Sequence, residues 1–309
     1  DNLKTFMRNQ DEFTDYDFEG SGLSALLDVL SYNTHYLAMN MNMVANESFL
    51  DTASVRSSVV SHAKTLGYTP NSARAPIANV NVTLNGAIET LTQAVIPAGT
   101  IFTTQIDDVN YQFVTVSEHT INKVNGILSF SNIPIYEGTY VTNRYTVDTS
   151  NVDQKFLLND NRSDTTTLTV DVFDTASSTD STTFTLATDT TQTDSTSNVY
   201  FLQEGADGKF EIYFGDGIIG KALSDGNVVR MRYVVTNKTE ANGASLFNPP
   251  SSIGDETNIS VTTVSNAIGG AEPETFESFR IQSGVSLGPI EFPAKDYFIL
   301  CIAYTPLLM

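Results

Sequence analysis

Residues 18–70 read FEGSGLSALLDVLSYNTHYLAMNMNMVANESFLDTASVRSSVVSHAKTLGYTP, and the spacing of their apolar residues sets the reading of everything after them. Leu23, Leu26, Leu27, Leu30, Leu37, Met41, Val44 and Ala45 recur at three- and four-residue steps, which places them along one stripe of a long amphipathic helix. Ser21 is positioned to cap its start, because a serine oxygen accepts a hydrogen bond from the free amides of a first turn. Asn46-Glu47-Ser48 interrupts the pattern at its end. Asp51 then offers a second N-cap, and Val55, Val59, Ala63 and Leu66 form a second stripe that stops at Gly67. Gly67 suits the left-handed conformation that closes a helix, Tyr68 is placed to pack back on the last turn, and Pro70 blocks continuation. The stretch predicts a helical hairpin.

The first helix also carries Tyr32, Tyr36, Met39 and Met43, so more than one of its faces is apolar. A helix of that kind usually packs between two layers. One face is therefore expected to dock on its own chain and another on a partner subunit, the alternative being that the hairpin simply covers the β domain of the same chain. The candidate partner interface comprises Leu23, Leu26, Leu27, Leu30, Tyr36, Leu37, Met41 and Val44 from the first helix, with Val55 and Val59 from the second.

Length and composition bound the rest. A chain of 309 residues, 40% of them hydrophobic, suggests about two domains with a substantial core. The formal net charge of −20 argues against a nucleic-acid partner, since phosphate binding needs clustered Lys and Arg and the 16 basic residues are scattered. An acidic surface repels copies of itself, so any assembly must rest on specific apolar contacts or basic partners. Cys301 is the one cysteine, which excludes an internal disulfide and makes a cysteine-based metal site implausible. No run of about 18 uninterrupted apolar residues suggests a membrane span. The apolar stretch 297–309 is short and broken by Pro306. No basic start followed by an apolar core suggests a secretory signal. The chain starts at Asp1, which leaves room for an earlier native N-terminus.

From Pro76 the apolar period changes to two. Val80, Val82 and Leu84 alternate with Asn79, Asn81 and Thr83, and Asn85-Gly86 supplies a tight-turn signal, so Leu91 to Ile96 reads as the returning strand of a hairpin. Further strands are expected at Tyr111 to Val116, Gly126 to Phe130, Tyr140 to Val147 and Thr166 to Phe173. In the Thr/Ser/Asp-rich stretch 174–198, Phe184 and Leu186 alternate with threonines, which predicts an exposed hairpin in preference to a disordered stalk. Phe210, Ile212 and Phe214 read as one more strand and Val228 to Val235 as the next. The expected fold class is α+β, an N-terminal helical hairpin followed by a β-rich, mainly antiparallel, sandwich-like region.

Chemistry-bearing constellations are sparse. Glu204, Asp207, Asp216 and Asp225 invite a calcium reading, but their spacing matches neither an EF-hand loop nor a repeated calcium-binding nonapeptide, and aspartate is common in turns. Gly215 to Gly220 spells G-x-G-x-x-G, yet it leads to Lys221-Ala222-Leu223 and not to a long helix, so it fails the context that dinucleotide binding requires. No nucleophile elbow or His-Glu-x-x-His pair occurs, and His35 and His62 lie on the expected helices. The sequence predicts no enzyme activity, no cofactor and no metal.

Several of these residues also carry a resemblance. Leu26-Leu27-Asp28, Ser31 to Tyr36, Asn46 to Ala53, Arg56 to Val60 and Leu66 to Pro70 resemble the N-terminal part of the baseplate wedge protein of T4-like contractile-tailed phages. Ile96 to Thr100, Phe214 to Gly217 on towards Tyr233, Gly269-Gly270-Ala271 and Glu277 to Arg280 are similar to the wider baseplate J-like family. The resemblance covers most of the chain to about residue 282, with its motifs in the expected order. It implies a structural protein of the virion, assembled in the host cytoplasm, that pairs with a second copy and with other wedge subunits through a helical bundle. Six such wedges close a ring around the hub, which holds the sheath and rearranges on contraction. It further implies that the Glu-Ser-x-Arg region continues into another domain, whereas this sequence ends at Met309. The expected domains are therefore 1–75, a helical assembly region; 76–270, a β-rich region; and 271–309, the truncated start of a C-terminal region. The alternative function is a β-rich virion-surface or secreted adhesin that binds glycans, suggested by the Thr/Ser/Asp-rich hairpins and disfavoured by the absence of Trp and of a signal.

Overall fold

The computed structural model describes residues 2–11, 22–85, 92–125, 127–151, 154–188, 193–205, 207–275 and 278. The expected cap Ser21, the turn residue Gly86, Cys301 and the apolar tail lie outside them. Three helices come first: α1 (Asn2–Arg8), α2 (Gly22–Glu47) and α3 (Arg56–Thr65). The 26 residues of α2 span about 39 Å at the α-helical rise. α2 stops at the Asn46-Glu47-Ser48 interruption, as its sequence predicts. α3 closes as expected on Gly67, whose φ of +76° lets its amide reach Lys64 O at 3.0 Å while the Tyr68 amide reaches Ala63 O at 3.0 Å. Tyr68 and Leu50 then pack on a small core of Ala53, Val59, Val60 and Ala63.

The two helices do not form a packed hairpin. From Asp28 to Asn46 every residue of α2 is exposed, so no face of it is covered by α3 or by the sheets. The start of α3 also differs from expectation. Val55, not Asp51, occupies the N-cap position and gives no side-chain cap. Glu47, the last residue of α2, instead accepts the amides of Ser54 and of Val55 itself, and so caps the approach to the helix.

The described β region is mainly antiparallel, as expected of the α+β class, and holds two large curved sheets with separate cores and a small two-stranded one. The first has the order β14-β1-β6-β4-β3. Its members are β1 (Ile77–Leu84), β3 (Ile101–Ile106), β4 (Val109–Val114), β6 (Leu128–Glu137) and β14 (Ile259–Ile268). Strict alternation along β1 turns Ala78, Val80, Val82 and Leu84 inward, where they meet Ile96, Phe102, Phe113, Phe130 and Ile135. The expected local hairpin at Asn85-Gly86 is not made: β1 pairs antiparallel with β6 and β14, while β2 (Gln93–Ile96) pairs with β5 (His119–Asn122). Long-range burial of the β1 face overrides the local turn signal.

The second sheet runs β7-β13-β9-β10-β11-β12-β8. It comprises β7 (Thr139–Thr146), β8 (Phe156–Leu157), β9 (Ser163–Phe173), β10 (Ser181–Leu186), β11 (Val199–Glu204), β12 (Phe210–Phe214) and β13 (Val228–Val235). All pairings are antiparallel except β10 with β11. Phe184 from the Thr/Ser/Asp-rich stretch enters the core with Tyr200, Phe210, Ile212, Met231 and Tyr233, so Ser181–Leu186 of that stretch is a strand of the sheet. The edge strands approach each other through side chains. Tyr145 OH and Asn143 Nδ2 donate to Leu157 O at 2.9 and 3.4 Å, and Tyr233 OH accepts the Asn159 amide at 3.2 Å. The sheet thereby nearly closes into a barrel.

The sheets meet where β6 turns into β7. Gly138 there has φ +126°, and a Cβ on it would lie 2.2 Å from Val235 O, so only glycine fits. The buried Glu137 carboxylate beside it accepts from Thr236 Oγ1 at 2.7 Å and from the Asn237 amide and Nδ2, each at 2.8 Å.

Candidate assembly surface

At about 100° per residue, the apolar side chains of α2 fall into two stripes about 120° apart. One runs through Leu26, Leu30, Leu37, Met41 and Val44, the other through Val29, Tyr32, Tyr36, Met39 and Met43, and all ten are exposed. Met41 is 69% exposed. Tyr32 and Tyr36 touch one turn apart, with ring centroids 4.6 Å apart, and line a shallow groove with Leu26, Val29, Leu30 and Asn33. A hydrogen bond to Tyr36 holds the Tyr32 hydroxyl above its usual pKa. Water gains nothing from such a surface, and a monomeric soluble protein rarely displays so long a contiguous one.

The expected interface residues divide by position. Leu26, Leu30, Tyr36, Leu37, Met41 and Val44 stand out from α2, and Val55 is exposed at the start of α3. Leu23 is half-buried, and Leu27, in the second turn of α2, is buried at 7% exposure. Val59, at 0%, is part of the small α3 core. Leu27 and Val59 thus pack within the chain.

Charge distinguishes α2 from the rest of the molecule. Asp28 and Glu47 are its only acidic residues and it has no Lys or Arg, against a net charge of −20 for the chain. The like-charge repulsion that opposes contact between copies elsewhere is nearly absent along it.

At the base of α2 a set of polar contacts fixes α3. The Glu47 carboxylate accepts the Ser54 amide at 2.8 Å, the Ser54 hydroxyl at 2.6 Å and the Val55 amide at 3.3 Å. The Ser54 and Ser58 hydroxyls, followed by those amides, hold its pKa down to about 2. His62 Nε2 lies 2.8 Å from Glu47 O. On the far side of α3, Arg56 donates from Nε and Nη2 to the two Glu204 oxygens at 2.7 and 2.8 Å, and from Nη1 to Glu274 O at 2.9 Å. The Glu274 carboxylate accepts Tyr68 OH at 3.0 Å and the Asn71 amide at 3.0 Å. Burial, reinforced by Glu274, pushes the Tyr68 hydroxyl up to about 12. Sequence patterning missed this cluster, because its members are far apart along the chain. The one local signal was Glu47, placed where the helical pattern breaks.

The four acidic residues that invite a calcium reading go to separate places. Glu204 belongs to Arg56, Asp216 accepts the Ile218 and Ile219 amides at 2.9 and 3.0 Å, Asp225 accepts the Thr149 amide at 3.1 Å, and Asp207 lies 3.8 Å from Lys209 Nζ. Among the described residues, no helix is long and apolar enough to cross a membrane.

Comparison with known proteins places matches on both parts of this architecture. Residues 1–68 match the helical domain of the gp6-like baseplate wedge proteins, and residues 143–245 match the third domain of the bacteriophage baseplate wedge protein gp6. The chain is similar to the Baseplate wedge protein gp6 of Enterobacteria phage T4, with 30% identity over 304 residues, covering 90% of this chain and 45% of that protein. The chain thus spans less than half the length of that relative.

Proposed function

We propose that this chain, which carries two domains of the gp6-like baseplate wedge proteins in their chain order, is a structural part of the wedge of a phage tail baseplate. It is a virion protein of the tail and not an enzyme. The observation that carries the assembly role is α2, apolar along two stripes, almost uncharged, and uncovered from Asp28 to Asn46. Two separate apolar stripes suit a helix that meets more than one neighbour, so α2 joins a bundle formed with a second copy of the chain and with another wedge subunit. Near-neutrality favours the second copy, because the rest of the surface repels it. Neighbouring wedges then close a six-fold ring around the hub, and the ring rearranges on contraction by repacking interfaces, without covalent chemistry.

The division that goes with this reading is an arm at 1–75, a β-rich region at 76–270 related to the wider baseplate J-like family, and the start of a C-terminal region at 271–309. Ser181–Leu186, within the Thr/Ser/Asp-rich stretch that suggests a glycan-binding adhesin, is a strand of the second sheet, with Phe184 in its core. Mixing the purified chain with the adjoining wedge subunit and weighing the products by mass photometry tests the proposal. A mixed complex that disappears when Leu30 and Leu37 become aspartate supports it. A mixture of unassociated chains contradicts it.

A further inference from the structure

We infer that α3 is a transmission block: one polar node built on two buried glutamates clamps it to the second sheet and to the segment leaving β14, while Glu47 clamps it to α2. The position of that departing segment is thereby coupled to the direction of the arm. The node draws on three parts of the chain. Arg56 comes from α3, Glu204 from the end of β11, and Glu274 from the segment after β14. Glu204 and Glu274 are both buried. Tyr68 and Asn71, from the chain that leads α3 into β1, complete the ring of donors around the Glu274 carboxylate. Glu274 also returns its amide to Asn71 O at 3.0 Å.

The contacts are coupled through one carboxylate. Withdrawing the Glu274 side chain removes an acceptor of Tyr68 OH and of the Asn71 amide together, so both bonds that tie the chain after α3 to the segment after β14 weaken at once. Among the described residues the hydrophobic cluster that includes α3 is small, Ala53, Val59, Val60 and Ala63 with Leu50 and Tyr68. On the opposite side, the Glu47 cap and the His62 contact tie α2 to α3 independently of the node. Two separate joints in series make α3 the element through which a displacement passes. The inference concerns the geometry of this chain and does not depend on which partner covers α2.

Spin-label distance measurements on the full chain test it, with Cys301→Ser removing the native thiol. One label pair, Ser61→Cys with Thr182→Cys, spans α3 and β10. A second, Asn40→Cys with Ser61→Cys, spans α2 and α3. All three label sites are exposed. Glu274→Gln is expected to broaden or split the first distance distribution and leave the second unchanged. Glu47→Gln is expected to do the reverse. Tyr68→Phe, a milder change at the same node, should give a smaller broadening of the first pair. Asp171→Asn serves as a control, since it breaks a buried ion pair with Arg230 and Arg232 elsewhere in the same sheet. Unchanged first-pair distances in both Glu274→Gln and Tyr68→Phe, or equal broadening by Asp171→Asn, overturn the inference.

Discussion

Arg56 on α3 grips Glu204 on β11 with two parallel hydrogen bonds of 2.7 and 2.8 Å, across 148 positions of sequence. The Glu204 side chain is 1% exposed and the Arg56 side chain 34%. The carboxylate is therefore the more deeply buried partner, and the pair is a fork-on-fork contact that lysine cannot reproduce.

Arg56→Met is expected to destabilise the protein by about 3 kcal/mol, because it leaves the buried Glu204 charge without a partner. The double variant Arg56→Met, Glu204→Met should recover most of that loss, since it removes the stranded charge. Urea unfolding of the two variants checks both expectations. A single variant as stable as the parent would show that the pair contributes nothing.

The Glu47 cap predicts an acid-sensitive joint. Its folded pKa of about 2 lies below the ordinary carboxylate value of 4.5, so its contribution is present above the ordinary value and is lost as pH falls through that range towards the folded value. Many carboxylates titrate in the same window, so the informative quantity is a difference. Between pH 5 and pH 2, helical circular dichroism should fall by less in Glu47→Gln than in the parent, because the variant has no charge to lose at this position.

Gly138→Ala places a Cβ 2.2 Å from Val235 O at a φ of +126°. That clash sits where the two sheets join, and a loss on the order of 3 kcal/mol is expected. Gly226→Ala, at φ +80° but with open space around it, should cost roughly 1 kcal/mol. Thermal unfolding of the two variants side by side reads the difference.

Tyr233→Phe removes the hydroxyl that accepts from the Asn159 amide and from Asn143 Nδ2 at the seam of the second sheet. The variant should be less stable by about 1–2 kcal/mol without a change in the denaturant slope. A larger loss with a shallower slope would mean that the seam opens and the near-barrel is no longer a single folding unit.

Much of this architecture was legible in the residues. The three- and four-residue spacing gave α2 and its end, Gly67 gave the close of α3, and β-branched alternation gave β1 and β13, the latter with its bounds. Pairing was less legible. Asn85-Gly86 suggested a local hairpin, but β1 buries its inner face between β6 and β14, and strands so far apart in sequence leave no mark at the turn. The hairpin of α2 on α3 failed for a related reason. Periodicity reports that a face is apolar and says nothing of what covers it, so Leu27 and Met41 look alike in sequence although one is buried and the other is 69% exposed. The node of Arg56, Glu204, Glu274 and Tyr68 was invisible because long-range ion pairs have no period.

The most direct test of the central claim is the solution mass of the chain by size-exclusion chromatography with light scattering, for the parent and for the Leu37→Asp, Met41→Asp variant. Both positions are exposed, so the variant should keep its near-ultraviolet circular dichroism and its melting temperature. The account predicts a parent that is a dimer or larger and a variant that is a folded monomer. A parent that runs as a monomer at every concentration tried, unchanged by the two aspartates, would contradict α2 as the surface through which this chain assembles.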